Sequence, residues 1–232
     1  MNHSICSRLH VSFGFAVVTG FFGVAAFAEE AGTPYEICLK GNAENRAALK
    51  GAPKSSPEGL KKFTALFVDD RTCECIRDED ARAGNVAQGA KQRFIAENAK
   101  CLSSRVNNEF PAICPGVFTG FLPPQVQNRV PTEKVQEVCT CAVSRMREIV
   151  TPAALLQWQL EQFKYFDALV ADRQNHTHLA DNLPRPGPGP VERGTMGSVQ
   201  SCTQEIFGKA PLAPAKGAQR ASPEDPPPQK QP

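Results

Sequence analysis

The stretch TEKVQEVCTCAVSRMREI, residues 132–149, decides how this chain is read. Val135, Val138, Ala142, Met146 and Ile149 recur three to four residues apart, the spacing of a buried helical stripe. Pro131-Thr132 supplies a start for that helix. Cys139 and Cys141 fall on opposite flanks of the stripe. Residues two apart on a helix point ~200° apart around its axis, so these two thiols diverge. They are poorly placed to bond each other. Each is expected to reach a different neighbouring helix, while the stripe packs inward.

The same spacing occurs earlier, at Cys73 and Cys75, behind Leu60, Phe63, Leu66 and Phe67. An unbroken helix through Asp69-Asp70-Arg71-Thr72 is not expected there. Each pair has two outer cysteines: Cys38 and Cys101 around the first, Cys114 and Cys202 around the second. The arrangement C…CxC…C is thus used twice. In the simplest scheme each outer cysteine bonds one member of its own pair. Two choices per set leave four patterns open. Each bond would close a loop of tens of residues and contribute about 2–4 kcal/mol. Such staples supplement cores that are small for modules of this length.

A duplicated helical module is the expected architecture. Tyr35-Glu36-Ile37-Cys38 is echoed by Phe110-Pro111-Ala112-Ile113-Cys114, and a Pro-containing start precedes each CxC. Val86, Ala90 and Phe94 make a stripe leading to Cys101. Thr151-Pro152 opens another helix, expected to run from Ala153 to about Asp172. Its apolar residues form two sets: Leu156, Leu160, Phe163 and Val170 on one side, Trp158, Tyr165 and Leu169 on another. A shorter helix is expected over Ser198 to Phe207, around Cys202. No alternating pattern of useful length suggests a strand, so the class is all-α.

The domain reading is a leader at 1–28, a first module at 29–105, a second at 106–208, and a Pro-rich tail at 209–232 that is expected to be disordered. The second module carries a Pro/Gly-rich, linker-like insertion near 181–195, which accounts for the long gap between Cys141 and Cys202. The leader has a short polar start with Arg8, an apolar run from Val11 to Ala26, and Ala26-Phe27-Ala28 before Glu29. That is the layout of a cleaved secretory signal; the run falls short of the ~20 apolar residues of a spanning helix. Cleavage removes Cys6 and leaves the eight framework cysteines. Export would place them where thiols become disulfides. The net charge is only +2, so no basic field argues for nucleic acid or an anionic membrane surface.

The chemistry on offer is thin. A CxC pair can be redox-active or hold Cu(I), because adjacent thiolates are soft ligands. The two outer cysteines per set balance as structural disulfides instead, and a thioredoxin-like α/β pattern is missing. His176 and His178 form an HxH pair without a matching third ligand, so surface histidines are expected. Asp78-Glu79-Asp80 resembles part of a cation loop but lacks its Gly and distal Glu. The run 84–91 misses a phosphate loop, with Ala90 where a Lys would stand. No GxSxG, HExxH or CxxCH occurs, and the chain after the leader holds no SxxK. Trp158, Tyr165 and Phe166 could line a pocket, but aromatics at helical spacing usually pack in a core.

In outline the framework resembles small exported helical proteins of Gram-negative bacteria; the Ala-Phe-Ala site fits such a source, while the sequon Asn175-His176-Thr177 leaves a eukaryotic source open. The expectation is therefore a periplasmic or secreted, non-enzymatic protein, a binding or structural component of the cell envelope. It is expected to need no cofactor, to meet a protein or envelope partner not identifiable from sequence, and to keep no transmembrane segment after cleavage. The alternative is a periplasmic thiol-redox or Cu(I)-handling protein using Cys73/Cys75 or Cys139/Cys141.

Overall fold

The computed structural model describes residues 32–49, 58–84, 88–175, 178–184 and 187–208. The leader expected at 1–28 and the tail expected at 209–232 lie outside these residues. Within them the secondary structure is helical throughout, without a strand: α1 Pro34–Leu49, α2 Glu58–Val68, α3 Arg71–Ala83, α4 Ala90–Gly120, α5 Pro124–Gln127, α6 Thr132–Ile149 and α7 Pro152–Asn175. A 3-10 turn at Ala180–Asn182 follows. The last run is α8 Pro190–Glu192, a π-turn over Arg193–Gly197, and α9 Ser198–Phe207. No helix among the described residues is long and apolar enough to cross a membrane.

The 31-residue α4 is the spine, and α1, α2, α3, α6 and α7 all pack against it. It carries both Cys101 and Cys114, so the two cysteine sets share one helix, and position 105/106 lies within it. Pro111 and Pro115 sit inside α4. Each removes a backbone donor and costs about 3 kcal/mol in an isolated helix. Packing prevails here: Phe110, Cys114, Val117 and Phe118 are buried beside them. These residues join Phe63 and Leu66 of α2 to Val138, Ala142 and Met146 of α6 in one apolar cluster. Gly59 and Gly116 let α2 and α4 cross closely; a Cβ on Gly59 would fall on the Gly116 carbonyl. A second cluster joins Ile37, Ile76, Phe94, Ile95 and Phe163 around Cys38, Cys73 and Cys101.

The expected interruption before Cys73 is present. α2 ends at Val68 and α3 begins at Arg71. The polar groups freed there are taken up by side chains, as helix ends require. Asn42 of α1 donates to the Asp69 carbonyl at 2.8 Å, and Arg46 donates to the Val68 carbonyl at 2.8 Å. Buried Arg105 of α4 grips the Asp69 carboxylate with both terminal nitrogens, and its Nε donates to Glu109 at 2.8 Å. Burial works to raise the Asp69 pKa. Hydrogen bonds from Arg105 and Arg71, with their charge, outweigh it and hold the carboxyl below its ordinary range.

α7 buries Leu155, Gln159, Gln162 and Phe163, whereas Leu160 is 50% exposed. Apolar residues lie all around this helix, so the stripe alone could not orient it; tertiary contact with α4 and α8 does. The Pro/Gly-rich segment, read as linker-like, is docked where it is described. The Trp158 indole N–H donates to the Gly187 carbonyl at 3.1 Å, Gly189 lies against the Trp158 ring, and Pro190 is buried.

Candidate functional site

The eight framework cysteines form four bridges: Cys38–Cys73, Cys75–Cys101, Cys114–Cys139 and Cys141–Cys202. This is one of the four patterns left open by spacing. Both sets use the same order, first outer cysteine to first inner, second inner to last outer. The two sulfurs of each CxC leave their helix on different sides, as the ~200° separation requires. Cys73 binds α1 and Cys75 binds α4; Cys139 binds α4 and Cys141 binds α9. Helices α1, α3, α4, α6 and α9 are thereby stitched into one covalent series.

The other sequence candidates do not converge. His178 is exposed and its Nδ1 lies 3.0 Å from Asp181 Oδ2; His176 lies outside the described residues. Asp78, Glu79 and Asp80 each pair with an arginine: Arg77, Arg82 and Arg93. Among the described residues no three His, Cys, Asp or Glu side chains converge as a metal-binding set. Gly84 closes α3 with φ 69°, and residues 85–87 of the phosphate-loop-like run lie outside the described residues. Tyr165 and Phe166 pack edge to face at 5.8 Å, half-buried, and do not line the cleft described next.

That cleft was not legible in the sequence. It has a volume of about 80 Å³ and lies between α1, α4, α7 and α8, beside the Cys38–Cys73 bridge. Phe67, Phe94, Leu102 and Leu155 supply apolar wall, and Trp158 lies at the docked 187–190 segment. Its polar groups are mostly carboxamides: Asn42, Asn45, Asn98 and Gln159, with the Glu192 carboxyl. Asn42 is anchored by the Asp69 carbonyl and by the Cys73 Sγ at 3.1 Å. Gln159 is different. It is 1% exposed, and neither its Nε2 nor its Oε1 has a hydrogen-bond partner among the described residues. Oε2 of Glu192 is likewise buried without a hydrogen-bond partner among the described residues. Burial pushes the Glu192 pKa up, and the charge of Arg193 opposes that. Glu192 immediately precedes the π-turn, a geometry frequent at functional sites.

An apolar wall with a few convergent polar groups is the ordinary makeup of a small-molecule site. This one offers hydrogen bonds; its lining contains no His, Lys or Ser. The sequence hid it because its residues come from five separate segments and because glutamines on a helix read as solvent-facing. No family model, curated protein or solved structure matches this chain.

Proposed function

We propose that this protein is an exported, non-enzymatic, disulfide-stapled helical protein that serves as a binding or structural component of the bacterial cell envelope or secretome. One observation carries the reading: all eight framework cysteines are committed to bridges between different helices, and five of those helices depend on them. Such bonds persist in oxidising compartments. The signal-like leader supports the same location.

The thiol or copper alternative has less support. A CxC pair could present two thiolates only after two bridges opened, releasing α3 from α1 and α4, or α6 from α4 and α9. The test is direct. Purified, unreduced protein is alkylated under denaturing conditions and weighed. No label on the eight framework cysteines is expected. Two or more labelled cysteines within a CxC set, with capture of Cu(I) by the native protein, would overturn the reading. Fractionation of the source cell checks location: processed protein is expected outside the cytoplasm.

A further inference from the structure

We propose that the cleft binds a small uncharged molecule carrying a carboxamide or urea group, paired edge to edge with Gln159. The proposal deepens the binding reading above and rests on it.

A carboxamide has two N–H donors and an acceptor oxygen. Both ends of the Gln159 carboxamide are buried and have no hydrogen-bond partner among the described residues. Leaving such atoms unsatisfied is costly, so a fold that buries them has a partner for them. The partner must present an acceptor and a donor side by side. A primary amide or urea does this with one flat edge.

Other classes match less well. A carboxylate offers no donor, and the cleft lining contains no Lys or Arg to balance its charge. Glu192 would repel it. An ammonium ion has donors only and would leave the Gln159 Nε2 without an acceptor. A wholly apolar molecule would satisfy neither end. The second unpaired group, Oε2 of Glu192, can accept the remaining N–H of an amide or urea. The apolar wall at Phe94 and Leu155 then suits a short hydrocarbon portion. The volume, about 80 Å³, limits the occupant to a few heavy atoms.

Propionamide is a fitting probe. Full-length processed protein, oxidised and labelled with ¹⁵N, is titrated with it. The side-chain NH₂ signal of Gln159 and the indole N–H of Trp158 are followed. A saturable shift of both is expected in the millimolar range, as the few atoms of the probe allow. Butanone keeps the acceptor but loses the donor, and propane-1,2-diol lacks the planar edge; each should bind at least tenfold more weakly. Gln159→Met keeps length and shape but removes both polar ends. It should lose propionamide binding without a lower melting temperature.

Absence of a saturable shift in the native protein overturns the proposal whatever the variant does. So does equal binding of butanone or the diol, or undiminished binding by Gln159→Met. A crystal soaked with propionamide that shows water alone against Gln159 would also overturn it. Any of these failures would leave the alkylation and fractionation results untouched, so the two readings fail separately.

Discussion

Arg105 shows how a single side chain sets the geometry around it. It is 8% exposed and holds Asp69 at the α2–α3 break, with Glu109 and Thr72 completing its partners. Asp69→Ala would take the carboxylate from both terminal nitrogens of a buried guanidinium. A loss of about 2–3 kcal/mol is expected in urea unfolding, at the low end for such pairs because Glu109 and Thr72 remain. The folded-state pKa of Asp69 is depressed by Arg105 and Arg71 against the pull of burial. Its contribution is therefore complete above the unfolded carboxylate value and declines as pH falls through the folded one. The melting temperature should drop in acid below about pH 4. Asp69→Ala should flatten that part of the profile. Glu192 works in the opposite sense, because burial raises its pKa. Ionisation then costs stability as pH rises through the carboxylate range, and Glu192→Gln should melt higher at pH 7 but no higher at pH 3. Gly59 makes a purely steric prediction: Gly59→Ala places a methyl on the Gly116 backbone and should cost about 2 kcal/mol, read from denaturant midpoints.

At the scale of the element, α6 and α4 show what local pattern can and cannot reveal. α6 was legible from its stripe, its Pro131-Thr132 start and the divergence of Cys139 from Cys141. Its bounds, Thr132–Ile149, and its buried Val138, Ala142 and Met146 follow. α4 was not legible beyond Cys101. Pro111 and Pro115 each lack a helix donor, and the apolar contacts at Phe110, Val117 and Phe118 carry the helix through them. α7 lies between the two cases: its start at Thr151-Pro152 was readable, its rotation was not. The cleft depends on that rotation, because it turns Gln159 inward and Leu160 outward. Hydrogen exchange should find the slowest amides of the molecule along Val106–Phe118 of α4. Removing the bridge at its centre, Cys114→Ala with Cys139→Ala, should cost about 3 kcal/mol by chemical denaturation while the other three bridges persist.

For the whole molecule, the repeat in the cysteines and the partition of the interior follow different lines. The bridges obey a twofold pattern along the chain, while one apolar cluster gathers α2, α4, α6 and α9 across it. Stability should accordingly be lost as a unit. Four bridges at about 3 kcal/mol each rival the 5–15 kcal/mol of an ordinary domain. Full reduction should abolish cooperative melting above room temperature; unchanged helicity and an unchanged midpoint in reductant would contradict the stapled design.

The covalent series also governs how the protein answers a pulling force. Under tension between Cys38 and Cys202, the sulfur links short-circuit most of the backbone, and only the pieces 73–75, 101–114 and 139–141 lie in the line of strain. Drawn taut, those pieces add up to roughly 60 Å, where the bare polypeptide would extend to roughly 570 Å. Anchored at both ends, the oxidised molecule would act as a short, nearly inextensible shackle.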